Sequence, residues 1–197
     1  MSGKNGFSIQ NSIMKSYLNM YLYILFFISC SNEPQEIYSR LDGINYQEIL
    51  NGPVNAEQYI LSHLHGKDTS FKDEYFNQVV EKLEDNNHAW RINAFHLLSI
   101  HCGNLNNNQQ QNLQSSLFNY FLHFPNEYMS QIEQINITNS DCFLELFSDY
   151  VHHYLITHNI TLISMKNVAY KYCNDCNDEE IKSIYSYLEL ASRFQKE

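Results

Sequence analysis

From Asn55 to Phe194 apolar residues return every three or four positions, separated by short polar turns. That spacing is the signature of helices that bury one face. Ala56, Tyr59, Ile60 and Leu64 mark a helix over 55–64 that Gly66 stops, and Tyr75, Phe76, Val79, Val80 and Leu83 mark one over 73–83, with Ser70 or Asp73 as candidate caps. Trp90, Ala94, Leu97, Leu98 and His101 place a third over 88–101, ended by Gly103. A fourth runs from Asn107 to Phe124, ended by Pro125. Further helices are predicted over 126–135, 141–158, 165–173 and 179–194. A turn is predicted over 136–140, and Thr161-Leu162-Ile163 reads as a brief β-leaning connection. Helices of this length joined by short turns predict an all-α fold of antiparallel helical hairpins, arranged either as an irregular bundle or as a short α-solenoid. The chain has only six glycines and three prolines among 197 residues, too few for a loop-rich sandwich or a collagen-like chain. With 44% hydrophobic residues it can bury a core.

The amino-terminal stretch departs from this pattern. Lys4 and Lys15 are the only charged residues before Glu33, and an apolar run from Tyr17 to Ile28 follows them, broken by Asn19. A positive start, an apolar middle and a small residue at the end are the marks of an export signal. The run is shorter than the roughly 20 residues needed to cross a bilayer.

Phe27-Ile28-Ser29-Cys30 resembles the lipobox of bacterial lipoproteins. The resemblance implies cleavage between Ser29 and Cys30, lipidation of Cys30 (a diacylglycerol on the thiol and a fatty acyl group such as palmitate on the new amino terminus), and a location at a cell or outer membrane facing away from the cytoplasm. Phe27 stands where Leu is commonest in that family. The alternative is an ordinary signal peptide with Cys30 in a disulfide. The start lies at Met1 or Met14. On the lipoprotein reading residues 1–29 are removed, 30–36 form a lipidated tether and 37–197 form a single helical domain. Three acyl chains on one residue make a durable anchor, since a single chain binds only marginally. The mature 168-residue chain keeps 10 basic and 22 acidic residues. Such a body is repelled by anionic lipid, so the membrane is a partner only through Cys30. The same charge argues against nucleic acid as a partner.

Four other cysteines, Cys102, Cys142, Cys173 and Cys176, are disulfide candidates in an exported chain and allow three pairings. Cys173-Asn174-Asp175-Cys176 lacks the βαβ setting of a thioredoxin-type motif, and Asp175, Asp178, Glu179 and Glu180 around it disfavour a thiolate. A structural disulfide or buried thiols are expected there rather than redox catalysis.

Asp141, Glu145, Asp149 and His152, with His153 beside them, are the best metal-ligand candidates, because they fall in one quadrant of a helix surface. The same stripe is what the solvated side of an amphipathic helix looks like, since Phe143, Phe147, Tyr150, Val151 and Tyr154 occupy the other side. No nucleophile–base grouping or phosphate loop stands out, and nothing implies a cofactor. Asn106 to Gln111 is a short polar run read as a loop leading into a helix. Asn136-Ile137-Thr138 and Asn159-Ile160-Thr161 match glycosylation sequons, incidental if the chain is bacterial and support for a secreted glycoprotein if it is eukaryotic.

Asp85…Trp90-Arg91…Ala94…Leu97-Leu98 resembles the helix signature of HEAT-type repeats, without a second copy at a period near 40. The interval between Arg91 and Lys166 contains no Lys or Arg but holds Glu127, Glu133, Asp141, Glu145 and Asp149. Its six histidines, His96, His101, His123, His152, His153 and His158, read as scattered residues rather than a pH sensor. The expectation is a lipid-anchored protein-binding module for a basic partner, in one version an immunity-type protein that neutralises an exported toxin. The alternatives are a metal-dependent cell-envelope hydrolase using the 141–153 stripe, and a structural spacer.

Overall fold

The computed structural model describes residues 45–194, all within one unit spanning Leu41–Glu197. The export signal, Cys30 and the tether over 30–36 lie outside the described residues. Nine α-helices and no strands occur among those described: α1 Tyr46–Leu50, α2 Ala56–Leu64, α3 Asp73–Glu81, α4 His88–His101, α5 Asn107–His123, α6 Pro125–Gln134, α7 Ile137–Thr157, α8 Leu162–Tyr172 and α9 Asp178–Arg193. Single turns of tighter helix, Lys82–Glu84 and Cys102–Asn104, extend α3 and α4.

Asparagine starts most of these helices. Asn45, Asn55, Asn87, Asn106, Asn136 and Asn177 each accept a backbone N–H of the first turn through their side chains. That satisfies donors the helix itself leaves without partners. Asn106 with Gln109 and Asn177 with Glu180 complete reciprocal capping boxes. Helix α6 instead starts on Pro125, whose missing N–H costs nothing at a first helical position.

Four local expectations are corrected. The predicted turn over 136–140 is the first turn of α7: Asn136 caps it and the Ser140 hydroxyl donates to the Ile137 carbonyl. The β-leaning Thr161-Leu162-Ile163 opens α8, with the Thr161 hydroxyl accepting the Ser164 N–H, and Ile163 is exposed there. Neither Ser70 nor Asp73 caps α3; Lys72 holds that position without a side-chain bond. Asn106 to Gln111, expected as a loop, is a cap followed by helix.

The helices stack in two layers. One holds α2, α4 and α6, and the other α3, α5, α7 and α9, each packed on its neighbour in the layer. Helix α8 packs instead on α5 and α9. A near-constant register runs through the stack. His63 meets His101 38 residues on, Asp73 meets Gln109 at 36, Asn77 meets Asn112 at 35 and Glu84 meets Asn119 at 35. Arg91 meets Glu127 at 36 and His96 meets Gln131 at 35. A helical hairpin with its turns occupies that length, so equivalent positions of successive hairpins lie side by side, as in stacked repeats.

The far end closes like a bundle. The fully buried Tyr128 meets Tyr187 from α9 at 59 residues' separation, hydroxyl to hydroxyl at 3.0 Å. Around them Phe95 and Phe143 pack edge to face at 4.9 Å, Phe121 on Phe147 at 5.1 Å and Phe147 on Tyr187 at 5.2 Å. Such pairs contribute about 0.5–1.5 kcal/mol each beyond area burial. Of the three possible pairings, the fold contains Cys102–Cys142, with Cα atoms 6.2 Å apart, and Cys173–Cys176, at 5.3 Å. The first ties the end of α4 to α7.

Candidate binding groove

Helix α5 carries amides on two sides. On one side Gln109, Asn112 and Asn119 donate side-chain hydrogen bonds to Asp73, Asn77 and Glu84, which join α5 to the α3 region. On the other side Asn107, Gln111 and Gln114 follow an i, i+4, i+7 spacing that puts them on one face. These three have no side-chain hydrogen bond among the described residues, whereas Gln110 beside them donates to the Leu105 carbonyl at 3.1 Å.

That face borders a groove of about 500 Å³ between α5 and α7, whose other wall is Asp149, Tyr150 and His153. Asp149 is exposed and forms no ion pair among the described residues. Tyr150 is held by a ring ladder, with Phe118 at 5.1 Å, Tyr154 stacked at 5.9 Å, and His158 stacked on Tyr154 at 4.2 Å. Burial, with Tyr154 close by, pushes the Tyr150 phenol above its ordinary pKa, so it is a neutral hydroxyl at physiological pH. His153 Nε2 lies 3.3 Å from the Thr157 hydroxyl. The groove therefore offers donors, acceptors, one carboxylate and an aromatic ring.

The four metal candidates are not brought together. Asp141, Glu145, Asp149 and His152 all sit on α7, where they share an azimuth but not a height. At 1.5 Å rise per residue, successive members lie about 4.5–6 Å apart along the axis and the outer two about 16.5 Å apart. One ion needs all its ligands within about 2–2.6 Å. Among the described residues no three His, Cys, Asp or Glu side chains gather closely enough to hold an ion. Asp149 turns to the groove instead, and His152 Nε2 is buried without a hydrogen-bond partner.

Cys173 closes the carboxyl end of α8, and Cys176 directly precedes Asn177, the cap of α9. Helix carbonyl dipoles at Cys173 disfavour a thiolate, which suits a structural bridge. A second hollow of about 240 Å³ beside it is lined by His123, Phe124, Glu127 and Tyr172. The residues of the α5 face escaped the sequence reading because a run of Asn and Gln looks like a loop. Their i, i+4, i+7 spacing was the available signal.

No protein-family model matches the chain, and no curated protein or solved structure matches it either. Among the described residues, no helix is long and apolar enough to cross a membrane.

Proposed function

We propose that this chain is a lipid-anchored envelope protein, attached through Cys30, whose helical body is a binding module for a basic protein partner. The anchor rests on Phe27-Ile28-Ser29-Cys30 and the positive, apolar segment before it. The observation that carries the binding role is the run between Arg91 and Lys166, which has no Lys or Arg. Within it Glu127 is paired with Arg91, while Glu133, Asp141 and Asp149 are exposed. A surface of a single sign steers an oppositely charged partner and speeds encounter. A small, acidic, membrane-held binder fits an immunity-type role against an exported toxin.

Mass spectrometry of the mature amino terminus tests the anchor: the expected first residue is acylated Cys30, and a chain that begins upstream or bears no acyl group overturns it. Cys30→Ala should release the protein from the membrane fraction. Crosslinking in intact cells tests the binding role, with a partner of net positive charge expected. Recovery of no partner returns the chain to a structural spacer.

A further inference from the structure

We infer that the α5–α7 groove is where this module seats its partner, and that the occupant is an extended segment carrying lysine or arginine. The inference rests on the binding role proposed above and gives it a location. Three features of the groove select the occupant. Asn107, Gln111 and Gln114 stand free along about 10 Å of helix, the length of roughly three residues of extended chain. Each primary amide presents a donor and an acceptor, as a peptide backbone requires. On the opposite wall the exposed carboxylate of Asp149 has no cation of its own among the described residues, and Tyr150 beside it offers a ring to an ammonium or guanidinium group.

The amino-terminal end of α5 does not reverse this preference. Its capping box already engages the N–H groups of Asn108 and Gln109, so the helix end is closed to an anion. Neither α5 nor α7, which form the two walls, contains a lysine or arginine. Gln109, on the far side of α5, is held by the Asp73 carboxylate. A neutral saccharide would also find amides and a ring here, but would leave Asp149 without a counter-charge.

Detergent-solubilised full-length protein is titrated against a fluorescein-labelled peptide containing Lys and Arg, with its Glu-substituted counterpart and a neutral oligosaccharide as comparisons. The basic peptide should bind, more weakly as salt rises, and the acidic one should not. Asp149→Asn should weaken binding about three- to tenfold, within the range of a partly exposed charge pair plus a lost charge-assisted bond. Gln111→Ala with Gln114→Ala should do likewise. Both variants leave the core intact, and their circular dichroism should match the parent. If the basic peptide binds but neither variant weakens it, the groove is wrong while the basic-partner reading stands. If basic and acidic peptides bind alike, or neither binds, both fall. Saccharide binding that the Gln111 and Gln114 changes abolish would overturn the peptide assignment.

Discussion

Arg91 on α4 grips Glu127 on α6 through two parallel hydrogen bonds, Nε to Oε1 at 2.8 Å and Nη2 to Oε2 at 2.7 Å, across 36 residues of chain. The same guanidinium donates from Nη1 to the carbonyls of Asp85 and Asn86 and lies 3.7 Å from the centre of the Phe124 ring. The Tyr120 hydroxyl adds a third donor to Glu127 at 2.7 Å. Two helices of one layer and the turn before α4 are thus joined by a single side chain that is 5% exposed.

Removing either partner leaves a poorly solvated charge. Arg91→Ala should lower unfolding free energy by about 3 kcal/mol, as for other broken buried pairs. Replacing both residues with apolar ones of similar size should cost less than the Arg91 truncation alone. Urea unfolding of the single and double variants measures this; a double variant that costs more than Arg91→Ala alone contradicts the account.

The two disulfides should differ in their effect on stability. Cys102–Cys142 spans 40 residues and Cys173–Cys176 spans three. In the loop-entropy description the first contributes about 4 kcal/mol and the second about 2 kcal/mol. Paired Ser substitutions at each bridge, compared in urea, should therefore place the Cys102/Cys142 variant lower. Peptide mapping without reductant checks the pairing itself.

His63 and His101 face one another with Nε2 atoms 2.9 Å apart, where a hydrogen bond requires one nitrogen to remain unprotonated. Burial holds both imidazoles below their ordinary pKa, and for His101 the neighbouring His63 adds to the effect. For His63 the Asp68 carboxylate and the Ser70 carbonyl oppose burial without overcoming it. A base with a depressed folded pKa favours unfolding once the unfolded chain takes up its proton. Stability should hold above about pH 6.5 and decline as pH falls below it. His101→Gln should lessen the fall in the urea midpoint between about pH 7.5 and 5, while His63 and the similarly depressed His96 keep the rest; a variant profile as steep as the parent's contradicts the pair.

Asn93 is fully buried in α4, and neither atom of its amide has a hydrogen-bond partner among the described residues. A buried amide without partners costs roughly 1–3 kcal/mol. Asn93→Leu, which has the same branched outline and number of heavy atoms, should raise the thermal midpoint. A fall of similar size would mean that the amide is engaged.

Much of this fold is legible in the residue order. Ala56, Tyr59 and Ile60 disclose α2 because an apolar face at 3.6-residue spacing needs no partner to be recognised. Helix α4 runs over His88–His101 as expected. The misreadings cluster at helix starts. In 136–140 and 161–163, low-propensity residues such as Asn, Thr and Ile sit where a cap makes propensity matter least. Helix α1, only five residues long, has too few positions to display a period.

The all-α class, the helix faces and the cation-free stretch were determined by residue order alone, because each depends on spacing along one chain. Which faces meet was decided only by tertiary packing. The roughly 36-residue register arises from helix and turn lengths added together, and chemically unlike residues such as Asp73 and Gln109 occupy matching positions, so no repeat is visible in the letters. The same packing chose Cys142 for Cys102, and turned one α5 amide face toward α3 and the other toward a groove. Azimuth on a helix can be read from numbering. Which neighbour stands at that azimuth, and how far away, is set by the global balance of buried area against chain entropy.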